Sequence, residues 1–232
     1  MKQNIKSTLK AILVLLVAFT SSPLYAADGD VFTAKTVEGV DMTFKVIREA
    51  DKTCQVGEGG YRGSCISSSI RGRISIPSSA NGYLVTTLSQ GAFYDCSGLT
   101  NITIPNSVTT INTYAFLDCS GLTSITIPSS VTSIGYAFLN CSGLECIIVQ
   151  EGNTVYDSRD NCNAIIRTTS NKLISGCKNT IIPNSVKSID TYAFYGCSGL
   201  THITIPNSVT SIGEYNQEIK GETNVEIIPV IA

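Results

Sequence analysis

Apolar residues recur along the middle of the chain in one pattern that is written several times. Residues 99–121 read LTNITIPNSVTTINTYAFLDCSG, and residues 122–143 read LTSITIPSSVTSIGYAFLNCSG. A further copy is divided between IIPNSVKSIDTYAFYGCSG (181–199) and LTHITIPNSVTSIGEY (200–215). The shared pattern is L-x-x-I-x-I-P-x-S-V-x-x-I-x-x-x-A-F-x-x-C, with a period of about 23 residues. A fixed period of this kind is typical of repeat architectures.

Each copy predicts one β-strand followed by a return path. Ile102 and Ile104 are two positions apart and so point to one side of a strand, while the threonine between them points to the other. Pro105 lacks an N–H group and favours the end of the strand. Val108 and Ile111 are predicted to point inward on the return path, and the A-F-x-x-C segment predicts a short helical or irregular arc.

One such unit cannot bury its apolar side alone, so the units must stack around a shared core. The spacing L-x-x-I-x-I matches the L-x-x-L-x-L of leucine-rich repeats, whose length of about 20–29 residues includes this period. The predicted fold class is therefore a leucine-rich-repeat solenoid, α/β by convention but rich in β-structure. Its coils of about 23 residues would carry one parallel sheet, with short helical or irregular arcs between the strands.

Two copies resemble a known family of repeats. SITIPSSVTSIGYAFLNCSGL (124–144) and IIPNSVKSIDTYAFYGCSGL (181–200) resemble the BspA-like leucine-rich repeats of bacterial surface proteins. Residues 155–186 resemble the irregular segment that interrupts those arrays. The resemblance implies a right-handed solenoid. It also implies a secreted or surface-exposed binding protein that takes part in adhesion to host proteins or to other bacteria.

The N-terminus is predicted to be a secretory signal peptide, residues 1–26. Three lysines precede an apolar run of ten residues (11–20), and small residues follow it. Ten apolar residues are too few to cross a bilayer, which needs about 20. The mature chain is therefore expected to be secreted or exposed on the cell surface, without a transmembrane segment.

The rest of the chain divides into three parts. Residues 27–70 lie before the repeats and are predicted to form an N-terminal cap, with a half-buried strand at 40–47. The array covers 71–215, with an irregular insertion near 150–180 in which a strand pair is expected around a Thr-Ser-Asn turn. Residues 216–232 depart from the pattern and are interpreted as an atypical C-terminal tail.

Composition limits the classes of partner. Charged residues make up 15% of the chain and the formal charge is −2, and no cluster of lysine and arginine stands out. Nucleic acid is therefore not an expected partner. Solenoids bind through extended strand faces, so an outward row of weakly polar side chains is the predicted contact surface. Its members are Asn101, Thr103, Ser124, Thr126, His202 and Thr204.

The nine cysteines fall into two groups. Four recur with the repeat and are predicted to be small buried hydrophobic side chains, because stacked strands about 4.8 Å apart do not offer the inclined Cβ vectors of a disulfide. They are Cys96, Cys119, Cys141 and Cys197. Outside that register, an exported chain offers two candidate disulfides, Cys54 with Cys65 and Cys162 with Cys177. The alternative is that these cysteines are free thiols. Cys146 falls at an outward strand position and is predicted to be a free thiol.

Catalytic chemistry has little support in the sequence. His202 is the single histidine, it lies at a variable outward position, and no catalytic motif surrounds it. No metal-ligand spacing and no cofactor motif is present. The predicted function is a non-catalytic binding protein that takes part in adhesion or protein–protein interaction, with an extracellular or host protein or another bacterial surface as partner. The alternatives are a carbohydrate-binding surface module, or a truncated family member without its own activity.

Overall fold

The computed structural model describes residues 26–216 and the backbone of 226–229; within them, the side chain of His202 is left out. The predicted signal peptide thus lies outside the described residues except for Ala26. In the described part of the chain the single helical element is a short 3-10 turn, Arg159–Asn161. The strands are β1 (Val31–Lys35), β2 (Asp41–Arg48), β3 (Thr53–Val56), β4 (Gly72–Ser75), β5 (Ser79–Ala80), β6 (Tyr83–Leu88), β7 (Leu99–Thr103), β8 (Thr110–Ile111), β9 (Ser124–Ile127), β10 (Ser133–Ile134), β11 (Cys146–Val149), β12 (Tyr156–Asp157), β13 (Ile165–Arg167), β14 (Lys172–Ser175), β15 (Ser188–Ile189), β16 (His202–Ile205), β17 (Ser211–Ile212) and β18 (Glu226–Pro229).

The L-x-x-I-x-I segments form a parallel sheet. Strands β4, β7, β9 and β11 pair in that order, and we call them the long-strand sheet. Ile102 lies opposite Ile125, which lies opposite Ile147, and all three side chains are buried. The predicted strand and its inward side are confirmed for these repeats, because a period-two pattern can bury only one side of each strand.

The prediction of one parallel sheet is wrong. The return path S-V-x-x-I is also extended, and its two-residue strands pair with the same position of the next repeat. Thr110 lies opposite Ser133, and Leu88 lies opposite Ile111. We call β3, β6, β8 and β10 the short-strand sheet. The backbone of the return path has hydrogen-bonding groups that need partners, and the next repeat supplies them.

The A-F-x-x-C segments are irregular turns in the described repeats rather than helices. Their backbones bond directly between repeats, as where the Phe93 N–H donates to the Ala115 carbonyl oxygen at 2.7 Å. The phenylalanines stack in a column. Phe116 lies between Phe93 and Phe138, with ring centroids 5.2 Å apart and planes within 3° in both pairs. The arcs therefore bury one aromatic layer against the two sheets.

Glycine in the C-S-G-L motif permits close contact between repeats. A Cβ atom on Gly121 would lie 2.2 Å from the carbonyl oxygen of Ser97, and one on Gly143 would lie 2.3 Å from that of Ser120. Both neighbours are backbone atoms and cannot rotate away. The repeats can pack at this distance because these positions carry no side chain.

The N-terminal segment joins the array through the short-strand sheet. Strands β1, β2 and β3 are antiparallel neighbours, and β3 then pairs in parallel with β6. Met42 and Phe44 on β2 are fully buried, whereas Thr43 between them is half-buried. The strand predicted at 40–47 is therefore confirmed.

The insertion forms the predicted strand pair and divides the hydrophobic interior. Strands β13 and β14 are antiparallel, and β14 then pairs in parallel with β15. Two of its side chains, Ile165 and Ile174, belong to a core that extends back to the N-terminal segment. Two others, Ile166 and Leu173, belong to a second core with the last repeats. The insertion is thus shared between both cores.

The C-terminal tail contains a strand that the sequence prediction missed. The backbone of β18 pairs in parallel with β16, with Ile203 opposite Ile227. The prediction of 216–232 as an atypical C-terminal tail did not include this strand. The signal was the apolar spacing of VEIIP, which is similar to HITIP in the preceding repeat.

Candidate functional site

The long-strand sheet brings four of the six predicted contact residues together. Asn101 lies opposite Ser124, and its side-chain amide donates a hydrogen bond to the Ser124 hydroxyl at 3.0 Å. Thr103 and Thr126 are exposed on the same face. The face is extended at β11 by the exposed Ile148, opposite Thr126. These positions form a weakly polar surface across neighbouring repeats, and the exposed Arg73 of β4 lies opposite Asn101 at one edge of it.

The other two predicted contact residues lie elsewhere. His202 and Thr204 are on β16, which pairs with β18 and not with β11. Thr204 is exposed, and the His202 side chain lies outside the described residues. The expectation of one continuous row through all six residues is therefore wrong.

The insertion gives the physical reason for this break. No strand is formed over 177–183, where the intervening copy should provide one. The Ser158 hydroxyl instead accepts a hydrogen bond at 2.8 Å from the Val149 N–H at the open edge of β11. The insertion thus occupies the position at which the sheet would have continued.

Three of the four repeat cysteines are buried, as predicted. Cys96, Cys119 and Cys141 are buried, and Cys197 is half-buried. The thiol of Cys119 donates to the Phe93 carbonyl oxygen at 3.0 Å, and that of Cys141 donates to the Phe116 carbonyl oxygen at 3.1 Å. Burial raises the pKa of the Cys119 and Cys141 thiols well above the ordinary value. These sulfurs stay protonated and join one repeat to the one before it.

The two candidate disulfides are not formed in the structure. All nine cysteines lie in the described residues, and all are free thiols. The sulfur of Cys54 lies 3.9 Å from the Tyr83 carbonyl oxygen. In the insertion, Cys162 and Cys177 each direct their thiol to a backbone carbonyl, of Ala164 and Asn163 respectively.

The buried thiols should make the folded state less stable at alkaline pH. Burial raises the pKa of Cys54 and Cys162 to about 11, and of Cys197 to about 12, against an ordinary value of 9.0. From about pH 9 to pH 11 the folded state keeps protons that the unfolded chain loses. The free energy of unfolding should therefore fall as pH rises, by up to about 1.4 kcal/mol per pH unit for each such thiol.

Urea unfolding curves measured with reductant across this pH window would check the expectation. A variant with Cys54→Ala and Cys162→Ala should show a shallower decline than the native chain. A flat profile for the native chain would contradict it.

A row of tyrosines on the arcs was missed by the sequence analysis. Seven of the ten tyrosines contact one another as two groups along the arcs. Tyr61 and Tyr114 meet edge-to-face at 5.0 Å, and Tyr192 and Tyr215 stack at 4.4 Å. The members of this tyrosine row are Tyr61, Tyr94, Tyr114, Tyr136, Tyr192, Tyr195 and Tyr215. None of them is fully buried, so the rings form part of the surface.

Three members of the row have an unusual backbone. Tyr114, Tyr192 and Tyr215 have φ values of +64°, +62° and +59°. The left-handed region is uncommon for a bulky side chain. The first repeat has Gly91 at this position, with φ of +66°. Three repeats therefore have a tyrosine at a position where glycine would be unstrained. The sequence signal for the tyrosine row was the tyrosine that precedes A-F in T-Y-A-F.

Two features are absent from the part of the chain that the structure describes. No group of three or more histidine, cysteine, aspartate or glutamate side chains is placed there to hold a metal ion. The same residues contain no helix with the length and apolar character to cross a membrane.

Comparison with known proteins identifies the family. Six copies of the repeat described as the BspA type Leucine rich repeat region match residues 74–173 and 165–218, which together cover more than half of the chain. The chain therefore belongs to the BspA-type leucine-rich repeat family. A search of curated proteins returned no match.

Two solved structures are similar to this chain. A leucine rich cell surface protein from Faecalibacterium prausnitzii A2-165 is 34% identical over 63% of this chain, with a TM-score of 0.50. The match spans 38% of that protein's length. The pneumococcal vaccine antigen PcpA is 16% identical, with 88% of this chain and 71% of PcpA covered at a TM-score of 0.49.

Proposed function

We propose that this chain is a non-catalytic extracellular binding protein that takes part in adhesion through contact with a protein on another surface. We also propose that its parallel strands belong to a right-handed solenoid, which would give the protein a regular exposed face. The proposal is supported by membership of the family and by the cell-surface description of the Faecalibacterium relative. The observation that carries it is the tyrosine row.

The tyrosine row has the properties of a protein-contact surface. Tyrosine is enriched among the residues that dominate binding energy, and it offers a large amphipathic area at a low cost in side-chain entropy. Ring contacts between repeats restrict these side chains further, as between Tyr136 and Tyr192 at 5.3 Å. Residues held in unusual backbone conformations also cluster at ligand-binding sites. The row would therefore bind with little reorganisation.

The outer face of the long-strand sheet is proposed as a second contact surface. Thr103, Thr126 and Ile148 are exposed there, and the charged side chain of this face is Arg73, on the edge strand β4. The uncharged part of the face, from β7 to β11, would favour a partner with an uncharged contact region, because an unpaired charge brought against it would lose its hydration.

A binding assay with charge and truncation variants tests the proposal. The full chain would be applied to immobilised extracellular-matrix proteins and to whole bacterial cells. We expect the variant with Tyr136→Ser and Tyr195→Ser to bind about tenfold more weakly, because each ring is a large contact and neither position has a positive φ. Thr169→Lys, in the turn of the insertion, is the control and should bind like the native chain.

A second variant, with Thr103→Lys and Thr126→Lys, separates the two surfaces. If this variant alone loses binding, the strand face is the contact surface and the role assigned to the tyrosine row is wrong. If the folded native chain binds nothing in either set, the adhesive function itself is contradicted.

A further inference from the structure

A polar cleft lies beside the glycine-rich loop 57–63, at the end of the short-strand sheet. Its volume is about 500 Å³, which is within the range of small-molecule sites. Strands β3, β6 and β8 are parallel neighbours there. The lining side chains come from β3 and from the residues that directly follow β6 and β8, and they are Gln55, Ser89, Gln90, Asn112 and Thr113.

The glycine-rich loop builds one wall of this cleft from backbone. Gly59 and Gly60 line it, with φ values of +87° and +125°. The carbonyl oxygen of Gly60 stands 2.4 Å from the place that a Cβ atom on Gly91 would occupy. Two glycines that face each other thus let the loop lie directly on the first repeat. The wall is formed before any ligand arrives.

The polar side chains of the cleft are largely unused by the protein itself. Among the described residues, the side chains of Gln90, Asn112 and Thr113 make no hydrogen bond. The Gln55 amide nitrogen donates to the Gly57 carbonyl oxygen at 3.1 Å, which leaves its own carbonyl oxygen free to accept. Several donors and acceptors from three neighbouring strands therefore converge on one space.

The chemistry of the lining selects the class of ligand. None of the residues that line the cleft is ionisable, so a charged ligand would find no counter-charge there. Amide and hydroxyl side chains each offer both donors and acceptors. Vicinal hydroxyl groups of a sugar ring need this mixture, because each hydroxyl also donates and accepts.

We infer that this cleft binds a neutral saccharide unit. The sugar hydroxyls bond to the amides of Gln90 and Asn112 and to the hydroxyl of Thr113. The ligand is distinct from the protein partner of the proposed function, and the assigned hydrogen bonds come from residues outside the tyrosine row.

Titration with defined sugars tests this inference on the full chain. Glucose, galactose, mannose and N-acetylglucosamine, with short oligosaccharides of each, form the neutral set. N-acetylneuraminic acid and glucuronic acid form the charged set. Saturation-transfer NMR and calorimetry should show binding of at least one neutral sugar and none of the charged ones. No binding by folded protein, or a preference for the charged set, would overturn the inference.

Variants locate the binding in the cleft. Asn112→Ala and Gln90→Ala, made together, should weaken sugar binding about tenfold or more, and neither side chain holds the fold through a hydrogen bond. Asn106→Ala is the matched control, because Asn106 is exposed in the turn after β7. Unchanged sugar binding by the double variant overturns the assignment to the cleft. Since these substitutions leave the tyrosine row and the strand face intact, their failure would not count against the adhesive function.

Discussion

Phe116→Ala should lower the free energy of unfolding by about 3–5 kcal/mol. Phe116 is fully buried and stacks on both sides, against Phe93 and Phe138, with parallel rings in each pair. The alanine would leave a cavity in the middle of the column. The backbone could not close it, because the arcs bond to each other between repeats. Urea unfolding followed by circular dichroism measures the loss.

The control for this experiment is Tyr136→Ala. Tyr136 is 37% exposed on the surface of the next repeat, and its truncation should cost less than about 1 kcal/mol. If the two variants lose similar stability, the buried phenylalanine column does not stabilise the fold more than an exposed ring does, and the prediction is wrong.

Gly121→Ala is expected to destabilise the fold by about 3 kcal/mol, through overpacking rather than loss of contact. The new methyl group would lie 2.2 Å from the Ser97 carbonyl oxygen and 3.0 Å from that of Leu99. Both atoms belong to the preceding C-S-G-L motif (96–99), so two neighbouring coils must separate to admit it. Chemical unfolding measures the change in midpoint.

Gly63→Ala provides the matched comparison for Gly121→Ala. A Cβ atom on Gly63 would meet its nearest neighbour, the Gly59 carbonyl oxygen, at the ordinary contact distance of 3.6 Å. This variant should stay close to native stability. An equal loss in both variants would mean that backbone entropy, and not close approach between repeats, accounts for the effect.

The period of the sequence predicted the strands and the buried positions well. Ile102 and Ile125 had to share one side of adjacent strands, because the copies are related by a fixed shift and one unit cannot form a core alone. The same logic placed Cys119 and Cys141 in the interior. These are local properties of the repeat, and every copy contains the full signal.

Features that depend on contacts between unlike segments were not predictable in this way. The break after β11 results from where the insertion lies, and Ser158 reaches Val149 only in the folded chain. The short-strand sheet was missed because a two-residue strand has too short a pattern to read. The tyrosine row was visible as T-Y-A-F, but the contacts among its rings join residues that are far apart in the sequence, as with Tyr61 and Tyr114.

The candidate sites also differ in how far the sequence could predict them. The strand-face positions Asn101 and Ser124 followed from alternation along a strand. The cleft did not, because Gln55, Gln90 and Asn112 are far apart in the sequence and meet only through the order of three parallel strands. A spacing motif cannot encode such a site.

The insertion affects the order in which the parts of the molecule unfold. Along β13 and β14, neighbouring side chains alternate between the two cores, with Ile165 in one and Ile166 in the other. Each core thus receives two of the four residues: Ile165 and Ile174 in one, and Ile166 and Leu173 in the other. Heat or pulling force that peels the last repeats away would expose one side of this hairpin while the other side stayed packed. The chain should then unfold in two steps, and the hairpin should remain with the N-terminal half after the first.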